Sequence, residues 1–250
     1  MGFLQAVVLG IVQGVAEFFP ISSSGHLVIL HKLMGFKGPE ILFDIFLHFG
    51  TLAAVFIVFG REIVESVTTK KRVGFLILLG SAVTFVLVIL FVKNIEAVFN
   101  NVKMIGIMLL VTGVWLIAGN LIRLGTEGMT AFKACLIGLA QGIGALPGIS
   151  RSGATISTGL FLGLDGQSAA KFSFLLSIPA ILGAFFFKMK EAGFNFAVIN
   201  INYFIGFFIA CIVGVASLQL LLKTLYRNRF HWFGVYCIAV GILVVIFLKA

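Results

Sequence analysis

Residues 10–26 of the chain read GIVQGVAEFFPISSSGH, and residues 138–153 read GLAQGIGALPGISRSG. The two segments align without a gap at an offset of 128 residues, and seven of the sixteen aligned positions are identical. In the first copy the identical positions are Gly10, Gln13, Gly14, Ile21, Ser22, Ser24 and Gly25. Self-similarity of this kind predicts two diverged copies of one unit, which we place at residues 1–123 and 132–250.

The two copies differ in the residues that can carry chemistry. Glu17 and His26 occur in the first copy, and the second copy has alanine at both corresponding positions. Arg151 occurs in the second copy at the position that Ser23 occupies in the first. One copy therefore supplies a carboxylate and an imidazole, and the other supplies a guanidinium. We expect the two segments to converge on one cavity.

The composition is typical of a multi-pass membrane protein. Hydrophobic residues make up 60% of the chain, charged residues make up 11%, and the mean hydropathy is +1.17. A water-soluble fold of 250 residues could not bury so much apolar surface. The net charge of +9 comes mainly from Lys and Arg in short connections, which favours anionic lipid headgroups over nucleic acid as partners.

The distribution of apolar residues predicts an all-α integral membrane fold. Two pairs of apolar segments, 3–19 with 27–34 and 134–146 with 154–164, are interrupted by Pro, Ser and Gly, which predicts re-entrant helical hairpins. Because each half also has three full spans, the second half should face the opposite way, as an inverted-topology repeat. The six stretches of spanning length are roughly 41–60, 74–92, 104–122, 172–187, 203–222 and 232–248.

The charges of the connections predict an orientation. Residues 61–72 hold four Lys or Arg and residues 223–229 hold three, whereas each of the other connections between spans holds two. The positive-inside tendency places the two richest connections in the cytoplasm. The first hairpin then opens outward and the second toward the cytoplasm. We expect the active site to open to the extracytoplasmic side of the plasma membrane.

Glu17 and Arg151 each stand alone in an apolar segment. Glu17 is the only formal charge between Met1 and Lys32, and Arg151 is the only one between residues 133 and 165. A charge within a bilayer is costly, so such residues usually face an interior cavity and mark a functional site. The alternative is a structural ion pair that joins the halves, although this would not explain the surrounding Ser and Gly residues.

The Ser/Gly segments predict an anion site. Each precedes an apolar stretch, so its hydroxyls and free backbone N–H groups would lie at a helix N-terminus, which attracts anions. A single such cap is ordinary, but two at corresponding breaks favour a phosphate site. The candidate phosphate-binding residues are Ser22, Ser24 and Gly25 in the first copy and Ser150, Ser152 and Gly153 in the second.

The candidate roles follow from side-chain chemistry. Arg151 can donate two hydrogen bonds to adjacent phosphate oxygens. Glu17 can hold a divalent cation or act as a general base, His26 can transfer a proton near neutral pH, and a serine hydroxyl can attack phosphorus. Taken alone, His26 would more often be a hydrogen-bonded packing residue, but its place next to the repeated Ser/Gly turn favours the functional reading. Asp44 and His48 share a helix face and predict either support for the site or a capped helix entrance.

Three segments resemble signatures of the undecaprenyl-diphosphate phosphatases of the bacitracin-resistance (BacA/UppP) type: QGVAEFFPISSSGH, FDIFLHFGT and PGISRSGATISTG. The resemblance covers essentially the whole chain. It implies that Gln13 and Glu17 take the two positions of an [E/Q]-x-x-x-E motif. It also implies that Ser23 and His26 are the catalytic serine and histidine, and that Arg151 is the essential arginine.

This resemblance implies hydrolysis of undecaprenyl diphosphate to the monophosphate, with Mg²⁺ or Ca²⁺ held at Glu17 and Gln13. The glutamine at position 13 leaves one carboxylate fewer for the metal. A homodimer is implied by the family alone. A different class, a lipid-phosphate transporter or flippase, fits an inverted repeat with charges at the membrane midplane. A non-catalytic membrane scaffold is a third, weaker reading.

Overall fold

The computed structural model describes residues 2–36, 41–99, 101–121, 125–191, 199–227 and 229–248. Within these ranges the chain forms ten α-helices and no strand, which confirms the all-α membrane fold. The predicted boundary at residue 123 lies outside the described residues. The helices are α1 (Phe3–Ala16), α2 (Ser23–Leu33), α3 (Ile41–Thr68), α4 (Lys71–Phe99), α5 (Val102–Leu121), α6 (Ala131–Ile143), α7 (Arg151–Phe161), α8 (Gly166–Glu191), α9 (Ile201–Tyr226) and α10 (His231–Phe247).

Each of the six predicted spans coincides with one helix. Among the described residues, five of these helices (α3, α4, α5, α8 and α9) are long and apolar enough to cross a membrane. The sixth, α10, has 17 residues and is apolar but shorter. At 1.5 Å per residue it measures about 26 Å, close to the hydrocarbon thickness of about 30 Å. Residue 122, the predicted end of the third span, is outside the described residues.

The two interrupted segments fold as pairs of short helices. The first helix of each pair has 14 or 13 residues and the second has 11, so no single one spans about 30 Å of hydrocarbon. Ser22 and Ser150 are the N-caps of α2 and α7, and their hydroxyls accept from the backbone N–H groups of Gly25 and Gly153. The predicted helix N-termini are therefore confirmed in both copies.

The repeated glycines have the same packing role in both copies. In the first copy, a Cβ at Gly10 would lie 3.0 Å from the carbonyl oxygen of Gly206 in α9. In the second, a Cβ at Gly138 would lie 2.3 Å from the carbonyl oxygen of Gly80 in α4. The first helix of each hairpin thus packs backbone against backbone on a long helix of the other half, which small residues permit.

Long helices of the two halves also pair directly with each other. In the pair α5 and α10, a Cβ at Gly106 would lie 3.1 Å from the Gly241 carbonyl oxygen, and one at Gly113 would lie 2.7 Å from the Gly234 carbonyl oxygen. These two helices therefore run antiparallel. Gly234 and Gly241 follow Gly106 and Gly113 by 128 residues, the same offset as in the hairpins.

The pair α3 and α8 is antiparallel as well. The rings of Phe49 and Phe185 are 4.6 Å apart near one end, and Lys171 Nζ lies 2.9 Å from Glu62 Oε1 near the other. At this second end the Arg72 guanidinium donates to the carbonyl of residue 129, and a Cβ at Gly166, the first residue of α8, would lie 3.4 Å from the Cβ of Leu225. The two connections richest in Lys and Arg therefore lie at the same end of the helix bundle.

The packing predicts a strong penalty for enlarging Gly50 in α3. A Cβ there would lie 2.3 Å from the Phe207 carbonyl oxygen of α9, whereas a Cβ at Gly60 of the same helix meets nothing within 4 Å. We expect Gly50→Ala to cost about 1–3 kcal/mol and to lower the midpoint of thermal unfolding in detergent by about 3–10 °C. The matched variant Gly60→Ala should leave the midpoint unchanged or raise it slightly. Equal midpoints for both variants would contradict this packing.

Candidate active site

The tips of the two hairpins meet through an ion pair. Glu17 lies at the end of α1, is 7% exposed, and its Oε1 accepts a hydrogen bond from the Arg151 guanidinium at the start of α7. The two charges that stand alone in the sequence are thus in direct contact across 134 residues of chain. The contact joins the carboxylate of one half to the guanidinium of the other.

The second carboxylate oxygen of Glu17 is held by groups of the first half. The Ser23 hydroxyl donates to Oε2 at 2.6 Å, and the Gln13 side-chain amide donates to the same oxygen at 3.1 Å. Gln13 also donates to the Thr51 hydroxyl of α3 at 3.4 Å. Ser23 is half-buried and its hydroxyl donates to this carboxylate, so the serine and a group that could accept its proton are already in hydrogen-bond contact.

His48 also faces this carboxylate. Its Nδ1 lies 2.7 Å from the backbone carbonyl of Asp44, one helical turn earlier, and a carbonyl can only accept, so Nδ1 carries the proton. Nε2 then faces Glu17 Oε2 at 3.8 Å. The Asp44 carboxylate lies 3.5 Å from His31 Nε2 instead. The structure therefore brings His48 to the site and shows Asp44 supporting it through the backbone.

His26 is placed beside this group but is turned away from it. Its Nδ1 lies 2.8 Å from the Ser22 carbonyl, and its Nε2 lies 2.9 Å from the hydroxyl of Tyr236 in α10. The imidazole therefore makes its hydrogen bonds at the tip of the hairpin and to α10, whereas the hydroxyl of Ser23 binds Glu17. Of the two predicted proton carriers, Glu17 is the one in contact with the serine.

Ser22 joins the backbones of the two tips. Its buried Oγ accepts from the N–H of Gly148 in the second tip at 3.0 Å and from the N–H of Gly25 at 3.3 Å. To reach this position its backbone takes φ +69°, a left-handed value unusual for a residue other than glycine. Gly148 takes φ +92°, where a side chain would be strained. The two tips are thus locked at close approach.

The second tip is anchored in a similar way by α5. The Thr112 hydroxyl donates to the Gly148 carbonyl at 2.9 Å and accepts from the Ser150 N–H at 3.1 Å. Ser150 Oγ in turn accepts from the Gly153 N–H at 3.1 Å and lies 3.3 Å from Ser152 Oγ. These buried hydroxyls hold the backbone, so the positions open to an anion are the half-buried Ser23, Ser24 and Arg151.

The donor groups of the site favour an anion. The residue that begins α2 and the residue that begins α7 both contact Glu17, so two helix N-termini converge there. Each terminus carries a partial positive charge of about one half and backbone N–H groups without helical partners. The Arg151 guanidinium balances the charge of Glu17, and the C-termini of α1 and α6 lie at the same tips, so the N–H donors of the two N-termini, rather than a net charge, favour an anion. A phosphate group has the charge and the acceptor oxygens to occupy such a place.

The protein offers few ligands for a metal ion. Among the residues that the structure describes, no group of three or more His, Cys, Asp or Glu side chains could hold one. Gln13, however, has a buried Oε1 with no hydrogen-bond partner, and its amide group lies against the Glu17 carboxylate. Mg²⁺ is commonly bound through one or two carboxylates together with phosphate oxygens and water. Glu17 and Gln13 fit such a cation.

Three residues of the site were missed by the sequence analysis. Thr51 follows His48 by three residues, so the shared helix face was a usable signal. Thr112 and Tyr236 lie within apolar spans, and no local sequence pattern predicts a place for either residue at the site. Tyr236 contacts a residue 210 positions away, and only tertiary packing brings the two together.

The chain is similar to known proteins over nearly its whole length. The sequence model of the family described as "Bacitracin resistance protein BacA" matches residues 6–243. The chain is 40% identical to the protein named "Undecaprenyl-diphosphatase" of Desulfosudis oleivorans, over 95% of this chain and 96% of that protein. It is 41% identical to the protein of the same name of Treponema denticola, over 97% and 96% of the two chains. A third such protein, of Carboxydothermus hydrogenoformans, is 40% identical over 98% and 97%.

Proposed function

The chain belongs to the BacA family of bacitracin resistance proteins, and on this premise we propose that it hydrolyses undecaprenyl diphosphate to the monophosphate and inorganic phosphate. The relatives quoted above carry the name of this enzyme. The reaction returns the lipid carrier of cell-wall synthesis to use. The observation that carries the proposal is that the Glu17 carboxylate contacts the Ser23 hydroxyl of its own half and the Arg151 guanidinium of the other.

The contacts assign the first step to Ser23. As its Oγ attacks the terminal phosphorus, its proton passes to Glu17 Oε2, which already accepts it in a hydrogen bond of 2.6 Å. The bond between that phosphorus and the bridging oxygen breaks, and the lipid monophosphate leaves. Arg151 has donors beyond the one on Glu17, and these can bind the oxygens of the transferring phosphoryl group together with the N-termini of α2 and α7.

Water completes the reaction in a second step. It attacks the phosphoserine, its proton passes to the His26 imidazole, and Ser23 recovers its own proton from Glu17. Attack by water on the diphosphate itself, without a phosphoserine, is the competing mechanism. It leaves the role of Arg151 unchanged, because the charge that develops on the phosphoryl oxygens is the same.

Glu17 has an alternative role as a ligand: a divalent cation, Mg²⁺ or Ca²⁺, would be held by its carboxylate and the unpartnered Oε1 of Gln13. When bound, such an ion neutralises charge on the diphosphate oxygens. The Gln13 amide group remains in place through its hydrogen bond to Thr51. The protein supplies one carboxylate only at this point, so most ligands of the ion would come from the diphosphate and water.

The two halves form inverted repeats, each made of a re-entrant hairpin and three membrane helices. This part of the proposal is supported by the antiparallel pairs α3 with α8 and α5 with α10, and by glycines that recur 128 residues apart.

The richest Lys/Arg connections face the cytoplasm and the first hairpin opens outward. Single cysteines introduced at Thr69 and Asn101 of a cysteine-free chain test the orientation. In intact cells an impermeant maleimide should label position 101 and leave position 69 unlabelled; the reverse result would invert the orientation.

The partners that follow from this function are undecaprenyl diphosphate and the surrounding lipid of the plasma membrane. A homodimer remains a prediction, and the mass of the protein in lipid nanodiscs distinguishes one copy from two.

The transporter or flippase alternative finds no support in the names of the relatives. Phosphate release from undecaprenyl diphosphate by purified protein, with Mg²⁺ or Ca²⁺ present, tests the enzyme directly. A wild-type protein that releases none is not this enzyme.

We expect Glu17→Ala and Arg151→Ala each to lower turnover by at least about 100-fold, the scale of losing one group that stabilises the developing charge. The matched controls are Glu65→Ala and Arg61→Ala, which break an exposed ion pair of α3 at 2.9 Å. These should retain wild-type turnover. Thermal unfolding of all four variants separates catalysis from structure, because a purely structural pair would lose stability and keep its turnover in the folded fraction.

We expect Gln13→Glu to fold, to remain active and to need less cation. The added carboxylate places a second negative ligand beside Glu17, so half-maximal activity should occur at a lower Mg²⁺ or Ca²⁺ concentration than in the wild type. Gln167→Glu, the same change at an exposed position of α8, is the control and should titrate like the wild type. Identical titrations for Gln13→Glu and the wild type would place the ion away from position 13.

A further inference from the structure

His26 and Tyr236 form a polar pair across the two halves. The Tyr236 hydroxyl lies 2.9 Å from His26 Nε2, and the two rings are nearly parallel at 13° with centroids 5.7 Å apart. The neighbouring Cys237 fixes this stretch of α10 against the first tip, because its thiol lies 3.6 Å from the Pro20 carbonyl. Phe233, one turn earlier, packs on Phe19 of the same tip with ring centroids 5.0 Å apart.

The hydrogen bonds determine which nitrogen of His26 carries the proton. Nδ1 lies 2.8 Å from the Ser22 carbonyl, which can only accept, so Nδ1 is the protonated nitrogen of the neutral ring. Nε2 then holds a lone pair, and the Tyr236 hydroxyl donates to it. When His26 gains a proton, the same hydroxyl can turn and accept from Nε2–H, because a phenol both donates and accepts.

The second tip has apolar residues at the two positions that correspond to His26 and Tyr236. The residues that correspond to His26 and Tyr236 at the offset of 128 are Ala154 and Met108. Both belong to one apolar cluster around the second tip. Apolar side chains therefore suffice to pack a hairpin against this region of the neighbouring long helix. At the tip that carries Ser23, both positions hold polar groups, His26 from the first half and Tyr236 from the second.

The surroundings of Tyr236 favour a hydrogen bond between its hydroxyl and His26. The side chain is 43% exposed on a helix whose buried face is formed by small residues. A hydroxyl at membrane depth requires a hydrogen-bond partner, and His26 provides it. Within the described part of the chain, no Asp or Glu pairs with His26, whose polar contacts are Tyr236 and backbone carbonyl groups.

We propose that Tyr236 is a positioning residue for the phosphatase reaction: together with the Ser22 carbonyl, its hydroxyl holds His26 in the tautomer protonated at Nδ1, and through this hydroxyl Nε2 takes up and returns the proton during turnover. The inference rests on the function proposed above and adds a residue of the second half to the site. Tyr236 itself forms no bond to the phosphate. It acts through His26 and keeps the ring hydrogen-bonded in both of its protonation states.

Tyr236→Phe removes the hydroxyl and keeps the ring. With undecaprenyl diphosphate as substrate, we expect kcat to fall about 5- to 20-fold and KM to change less than about 2-fold, because a hydrogen-bond donor to a catalytic group is lost and the binding groups are intact. The matched control is Tyr226→Phe, at a 79% exposed tyrosine of α9, which should behave as wild type. An unchanged kcat in Tyr236→Phe would overturn the proposal.

A double-mutant cycle tests whether Tyr236 acts through His26. In the His26→Gln background, Tyr236→Phe should change the residual kcat less than about 2-fold, since the group it positions is gone. A loss as large as in the wild-type background would contradict a positioning role. If the wild-type protein itself releases no phosphate, the proposed function fails, and that result is distinct from either outcome here.

Nitrogen NMR reads the tautomer without turnover. In protein labelled with ¹⁵N-histidine in nanodiscs, the His26 signals are those that vanish in His26→Gln. At a pH where the ring is neutral, the wild type should show a protonated Nδ1 and a hydrogen-bonded, unprotonated Nε2. Tyr236→Phe should shift the Nε2 signal toward that of a free lone pair. A wild-type proton on Nε2 would overturn the proposal even if the variant failed to fold.

Discussion

The contact between the Glu17 carboxylate and the Arg151 guanidinium is the interaction on which the rest of the site depends. Insertion of a lone Arg or Asp at the centre of a membrane helix costs about 2.5–3.5 kcal/mol. Each hairpin tolerates its charge because the other hairpin brings the opposite one, and because hydroxyl and amide groups supply further hydrogen bonds. The same pairing fixes the distance between the serine of one half and the arginine of the other.

That pairing requires two polypeptide tips to approach more closely than ordinary side chains allow. Glycine makes this possible at two levels. Along the hairpins, Gly10 and Gly138 let α1 and α6 pack against α9 and α4 of the opposite half. At the tips, a Cβ on Gly25 would lie 3.1 Å from the Gly148 backbone, which donates to Ser22. The small residues of the repeat therefore allow the close backbone contacts that a polar site inside an apolar protein requires.

The two halves have similar helix caps and buried residues, but they supply different functional side chains. Ser22 and Ser150 cap corresponding helices in the same way, and Gln13 and Gln141 lie at corresponding places in the buried interior. Glu17 and His26 are not duplicated, because the second half has alanine at both corresponding positions. The second half supplies Arg151 at the position of Ser23 instead, and its positive charge attracts the Glu17 carboxylate.

The sequence alone predicts the membrane fold, the six spans, the interrupted hairpins with their caps, and the residues Glu17, Ser23, His26 and Arg151 as candidates. These follow from local composition and from an internal repeat, both of which are written along the chain. Which of these candidates form hydrogen bonds with each other depends on the tertiary structure. Ser23 binds Glu17 while His26 turns to Tyr236, because that choice depends on where α10 lies, and helix packing across 210 residues leaves no trace in the local pattern.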